Sequence, residues 1–359
     1  MTDRYARTLA MAALAKAEKA GKAGTQSSGT FKVLTDGVRR WKDRTLSMTQ
    51  NCGGGIVGAD GYYFPEGYNT IMVIPFDETE QYRIHTQHDG SDYSSTHCWI
   101  QHIAYGNGLY LGINNVEGKA YTSTDAKVWK WLSDVHIDLT TITRVDYVDG
   151  DFVVRCSDGV YGKCASTESY NRIYDASGEF TALPQEVQTM HTFLTRGNHE
   201  FYLTESCIVW GSRLEGYNYL PFTEELPDDV YNPQLVAFWN GYMFMMDYRY
   251  PDIIYMRPAR VPNDLHSGYF AETGWMIPMR TSPNDMLQFR AVCAVGDYLY
   301  IFTVEKVLRV DKNWDVTTLV GGTREEPDLT MGYTIDKVLV AGNSILVCGG
   351  SSAWQFYLE

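Results

Sequence analysis

The stretch Tyr105-Gly106-Asn107-Gly108-Leu109-Tyr110-Leu111 decides how the whole chain is read. An apolar run, Trp99–Tyr105, stops at Asn107-Gly108 and restarts as Leu109–Ile113. Asn and Gly both accept positive φ, so the pair suits the type I′ turn that joins two antiparallel strands. Working outward, Ala120–Ser123 reads as a third strand and Val128–Leu132 as a fourth. The same plan recurs. Asp60-Gly61, Asp149-Gly150, Gly197-Asn198, Asn240-Gly241, Gly296-Asp297 and Gly342-Asn343 each divide two apolar runs. Counted glycine to glycine through all seven nodes, the intervals are 47, 42, 47, 44, 55 and 46 residues. A hairpin signal returning at intervals near 45 residues predicts an all-β chain, a β-propeller of seven blades with six as the alternative.

The repeat also predicts strands. In the third unit these are Thr143–Val148, Phe152–Cys156, Tyr161–Ala165 and Arg172–Tyr174. Later units open at Val187–Leu194, Leu235–Trp239, Arg290–Val295 and Lys337–Ala341. The last unit is one strand short, with only Ser344–Cys348 and Ala353–Leu358 after its opening run. Phe31–Leu34 or Val38–Trp41 is expected to fill the gap, which puts both ends of the chain in one blade. The longest interval carries an insertion at Pro258–Pro283, expected to be an ordered loop. The chain therefore divides into a helical arm and linker over 1–29, a strand pair over 30–54 that closes the last blade, and the propeller over 55–359. Ala-rich residues 3–20 predict a helix, capped by Thr2 and stopped by Gly21 and Gly24. Arg4, Tyr5, Arg7, Leu9 and Leu14 are its candidate interaction residues, because so short a helix needs a surface to lie on.

At 359 residues the chain exceeds the size of a single compact core, which a closed array of small packed units resolves. Its 26 Tyr, 14 Phe and 9 Trp favour strands. Charge is divided: residues 1–50 carry a net +6 and the remaining 309 a net −20. So acidic a body is a poor nucleic-acid clamp, which needs clustered cations, and no specific nucleic-acid readout is expected. Seven cysteines without a C-x-x-C pair predict free, packed thiols and a reducing compartment. The apolar stretch Leu9–Ala15 is too short and too soon followed by charge to predict a signal peptide, and no run reaches membrane-span length.

Chemistry-bearing patterns are sparse. His88, Asp89, Asp92 and His97 cluster in a Gly/Ser-rich stretch that reads as a solvated turn rather than a metal site. Glu224-Glu225, Asp228-Asp229 and Glu325-Glu326 sit beside prolines and read as loop charge. No Walker A, G-x-S-x-G, H-E-x-x-H or dinucleotide fingerprint occurs. No catalytic residue, cofactor or metal is therefore expected, and the chain is not expected to be an enzyme. Tyr217, Tyr219, Tyr248 and Tyr250 could stack sugars, or simply pack blades.

Ser123-Thr124-Asp125-Ala126-Lys127-Val128-Trp129 resembles the Asp-box at hairpin turns of sialidase-like propellers, without its glycine. Ser166-Thr167-Glu168 is a weaker echo. Ser123, Asp125 and Trp129 would then be structural, the carboxylate capping the turn and the indole packing between blades. Tyr82-Arg83-Ile84-His85 is similar to the arginine motif that opens sialidases, but the following Pro is missing. Together with the Tyr-rich, acidic repeats, the box-like turn resembles virion proteins of tailed bacteriophages, especially tail nozzle proteins of short-tailed phages. That resemblance implies a homo-oligomeric ring, a hexamer, that contacts portal, adaptor or other tail proteins and surrounds the DNA exit path. It implies a place in the virion tail after synthesis in the host cytoplasm. A carbohydrate-binding, receptor-binding propeller is the alternative, and a degenerate sialidase-like glycosidase the third reading.

Overall fold

The computed structural model describes residues 31–33, 39–40, 54–67, 69–76, 79, 81–90, 98–148, 150–157, 161–165, 172–175, 194–196, 199–204, 207–212, 216–221, 233–247, 253–258, 276–280, 289–303, 306–320, 337–342, 344–349 and 352–358. The expected helix over 3–20, and with it Arg4, Tyr5, Arg7, Leu9 and Leu14, lies outside these residues.

The described strands form seven sheets, each a meander of neighbours in sequence. The second sheet runs His102–Gly106, Leu109–Asn114, Lys119–Ser123 and Val128–Leu132. Asn107 and Gly108 both take positive φ at its first turn, 51° and 76°, as the Asn-Gly pair requires. The third sheet runs Ile142–Val148, Asp151–Cys156, Tyr161–Ala165 and Arg172–Asp175. Chain connecting one sheet to the next is also used. Gln87–His88 adds in parallel to the outer strand of the second sheet, and Asp134–Val135 does the same for the third. Each addition covers an otherwise open edge.

Consecutive sheets pack face to face around a ring. Tyr63 and Val73 of the first share a core with Tyr110, Tyr121 and Trp129 of the second. Leu111 and Ile113 of the second meet Phe152 and Val154 of the third. Tyr202 of the fourth lies within electrostatic reach of Arg144 and Arg155 of the third. Its neighbour Phe201 stacks on Phe238 of the fifth, 4.7 Å between ring centres. Phe244 and Ile301 join the fifth to the sixth, and Phe302 and Phe356 the sixth to the seventh. Tyr62 and Ile74 meet Leu346 and Cys348, which brings the seventh back to the first. Except between the third and fourth sheets, the opening strand of each sheet adjoins that of the next, so these strands stand innermost. This closed ring of radial sheets is a β-propeller.

Packing on both faces explains why the second strands lack alternation. Every residue of Thr70–Pro75 and of Leu109–Asn114 is buried. A half-solvated strand would alternate instead.

The seventh sheet is made from both ends of the chain. Lys337–Ala341, Ser344–Gly349 and Ser352–Leu358 supply three strands. Phe31–Val33 pairs antiparallel with Phe356–Leu358, and Arg39–Arg40 with Ser352–Ala353, on the outer side. Two sequence expectations need correction. The strand expected from Trp99 begins at His102, because Gln101 leaves the extended run: its side chain accepts the N–H groups of Asn115 and Val116. The expected loop at Pro258–Pro283 contains a strand, Met276–Arg280, which is the outermost of the fifth sheet. Pro278 disguised it, since an edge strand tolerates the missing N–H that a central strand does not.

Candidate functional site

Two polar constructions stand out against the apolar blades. The first is the turn at Ser123–Trp129, between the third and fourth strands of the second sheet. Asp125 Oδ1 accepts the backbone N–H groups of Lys127 (2.8 Å) and Val128 (2.9 Å). The Ser123 hydroxyl bridges, 2.6 Å from the Val128 carbonyl and 3.0 Å from Asp125 Oδ1. The turn needs one residue in the left-handed region, and Ala126 takes it at φ 57° where a glycine was missed in the sequence. Fully buried Trp129 donates from Nε1 to the Ala126 carbonyl, 2.8 Å away, and packs between first and second sheets. Burial pushes the Asp125 carboxyl up, but the hydrogen bonds from Val128, Lys127 and Ser123 outweigh it and hold it below the usual carboxylate range.

A second such turn escaped sequence reading. Asp311, directly after Val307–Val310, accepts N–H bonds from Asn313 and Asp315, each at 2.9 Å. Trp314 there has φ 66° and packs against Trp239, 5.3 Å away, in the fifth sheet. The order Asp-x-x-Trp, rather than Asp-x-x-x-Trp, hid the correspondence. Both turns hold tryptophans between blades.

The second construction lies where the innermost strands begin. Arg144 reaches one oxygen of Asp146, with both Nε and Nη2 at 2.6 Å. Arg155 faces Arg144 in register on the neighbouring strand and is only 4% exposed. Across the junction, buried Glu200 accepts from the hydroxyls of Tyr202 (3.0 Å) and Tyr217 (2.9 Å) through one oxygen. Burial, then the Glu200 charge, holds Tyr202 protonated well above its usual range. Lys337 opens the seventh sheet, donates to the Gly55 carbonyl at 2.8 Å, and lies within electrostatic reach of Arg144 and Asp146. Its affinity for a proton is lowered, first by burial and then by Arg144. No sequence motif marks Arg144 or Arg155. Nor does any mark Glu200 or Lys337, because these residues sit on four strands of three sheets that only the folded ring sets around one axis.

Other candidates resolve differently. Arg83 sits on the outer strand of the first sheet, clamped to Glu66 at 2.7 and 3.2 Å, away from the innermost strands. His88, read as part of a solvated turn, is instead in a strand, with Nδ1 3.1 Å from Cys98 Sγ. Asp92 and His97 lie outside the described residues, as do the Glu224, Asp228 and Glu325 pairs, Ser166-Thr167-Glu168, Tyr248 and Tyr250. Among the described residues, no group of three or more His, Cys, Asp or Glu could hold a metal ion, and no helix is long and apolar enough to cross a membrane.

No protein-family model matches the chain, and no curated protein does. Solved structures do. The chain is similar to YCF48 bound to D1 peptide, with a TM-score of 0.52 and 11% identity over 89% of this chain and 96% of that one. It is similar to a catalytically inactive virginiamycin B lyase from Staphylococcus aureus, at TM-score 0.47 and 12% identity, covering 92% and 100%. BamB from Moraxella catarrhalis follows at 0.42 and 8%, covering 92% and 98%. All three are β-propellers. The likeness to YCF48, at a TM-score above 0.5, agrees with the fold, and at such identity it says nothing about chemistry.

Proposed function

We propose that this propeller is a structural, non-enzymatic component of a phage tail or nozzle ring, contacting neighbouring tail, portal or adaptor proteins around the DNA exit path. In this reading it works in the virion tail after synthesis in the host cytoplasm. The observation that carries it is the placement of the N-terminal segment. Phe31–Val33 and Arg39–Arg40 pair on the outer side of Ser352–Leu358, at the rim of the disc. The chain preceding them is basic and the body behind it is acidic. A basic segment continuous with the rim of an acidic disc is complementary in charge to the same disc in the next copy, a head-to-tail contact that closes into a ring when the rotation allows. An acidic wall also leaves DNA free to slide.

Light scattering and native mass measurement of the full chain test this. The expected result is a closed ring, hexameric by the resemblance, that dissociates when Arg4→Glu and Arg7→Glu are combined. A strict monomer that binds neither a portal nor an adaptor protein overturns it. Glycan binding is the second reading, favoured by the exposure of Tyr82 (43%) and Tyr219 (51%). A glycan array whose signal is lost in Tyr219→Ala would decide for it.

A further inference from the structure

We propose that the basic segment 1–29 of a neighbouring copy docks on one identifiable side of the disc, the side that bears the first hairpin turn of each sheet, with its apolar side chains at a notch between the sixth and seventh sheets. The inference rests on the ring reading above and names the surface that the ring uses.

Strand direction defines the sides. Each sheet is an antiparallel meander, so its first and third turns lie at one end and its second turn at the other. Four strands return the chain to the side it started from, so the opening strands run alike around the ring. Among the described residues six large apolar side chains are exposed. Four of them, Tyr82, Val128, Tyr298 and Val340, stand at strand ends on the side of the first turns. They belong to four consecutive sheets of the ring: the first, second, sixth and seventh. Val116 is on the opposite side, in the second turn of the second sheet.

Tyr298 and Val340 line one gap. Side chains two apart on a strand share a face. Tyr298 therefore shares its face of the sixth sheet with Tyr300, and Val340 its face of the seventh with Val338; Tyr300 and Val338 pack in the core between these two sheets. Val295, opposite Tyr298 in the ladder, is partly buried in that core. The notch is open above it, since Tyr298 and Val340 are each 37% exposed. Apolar side chains scattered singly over a surface carry no message, but a pair across one gap, flanked by two more on the same side, marks a contact surface.

Charge names the occupant. In the described turns on this side, Asp60, Asp125, Asp297, Asp311 and Asp315 stand against Lys127 and Lys312. Residues 1–29 carry a net +3 and hold Tyr5, Leu9 and Leu14. The segment thus complements the side in both charge and apolar content. Arg309 lies 4.7 Å over the Tyr298 ring, so the notch suits the apolar side chains of the segment rather than its arginines. An arginine is better placed at exposed Asp60, whose carboxylate accepts from the Tyr63 hydroxyl at 2.5 Å.

Light scattering and native mass measurement of the full chain over a dilution series test the surface. Tyr298→Ser combined with Val340→Ser should weaken assembly at least about tenfold, because two apolar side chains lose their cover. Val116→Ser, on the opposite side, should change nothing. Asp60→Lys should weaken assembly, and adding Arg4→Glu and Arg7→Glu to it should restore assembly. That rescue cannot come from a misfolded chain, so it keeps the test decisive if the notch variant fails to fold. Full assembly in the folded notch variant, equal weakening in Val116→Ser, or no rescue overturns the proposal. The ring reading survives any of these as long as Arg4→Glu with Arg7→Glu alone dissociates the assembly. A strictly monomeric wild type removes the ring reading and this surface with it.

Discussion

Replacing Asp125 by Ala should destabilise the propeller by about 2 kcal/mol, and the loss should be coupled to Trp129. Asp125 Oδ1 accepts the Lys127 and Val128 N–H groups. Both amides lie at the surface, where water replaces the carboxylate, so each bond is worth only ~1 kcal/mol. Trp129→Phe keeps an apolar ring but takes the donor from the Ala126 carbonyl, a loss of ~1–3 kcal/mol. The two changes dismantle one turn, so the double variant should depart from additivity by about 0.5 kcal/mol or more. Urea unfolding of the four proteins measures this. The pH dependence follows from the direction of the shift. The Asp125 carboxyl is held below its usual range, so its stabilisation is full above the unfolded value, ~3.9. It is lost as pH falls through the lower folded value. The gap between wild type and Asp125→Ala should therefore be constant near neutrality and shrink below about pH 4. A gap under about 0.5 kcal/mol, strict additivity, or a gap unchanged down to about pH 3 would refute the account of the turn.

Gly112→Ala should cost ~1–3 kcal/mol in the same assay, because its Cβ would lie 2.6 Å from the Trp129 ring and 2.7 Å from Ile100 Cδ1. Gly61→Ala should cost more, since its Cβ would meet the Ile74 carbonyl oxygen at 2.6 Å, backbone that cannot turn aside. None of the six described cysteines is in a disulfide and all are buried, and burial pushes Cys293 up to about 12 and, first among its causes, Cys164 up to about 11. An aromatic disulfide reagent should leave these six untouched in the native protein and label them on unfolding. Deleting residues 1–42 strips the outer strands from Ser352–Leu358; it should expose that segment to limited proteolysis and lower the urea midpoint.

The turns were legible in the sequence because each is a local event. Asn107-Gly108 names its own conformation, and the recurrence of such nodes fixes the architecture. The missing strand of the last unit was countable, so the return of residues 31–40 to Ser352–Leu358 followed from arithmetic. The strand at Met276–Arg280 was not legible, because Pro278 erases the pattern at an edge where it does no harm. The axial charges were illegible for another reason. Arg144 and Lys337 are almost two hundred residues apart, on the opening strands of the third and seventh sheets, and only closure of the ring brings those strands around one axis.

Lys337 also belongs to the seam between the first and seventh sheets. Its ammonium bonds to the Gly55 carbonyl, just before the first sheet. Elsewhere on the seam, Gln355 donates to the Pro75 carbonyl at 2.5 Å and to Ser344 at 3.3 Å. Lys337→Gln and Gln355→Leu each remove a donor from that seam, a loss of ~1–3 kcal/mol apiece. Both should lower the urea midpoint, and because the two contacts share no partner their effects should add. An unchanged midpoint in either variant would show that the contact it removes does not hold the first sheet to the seventh.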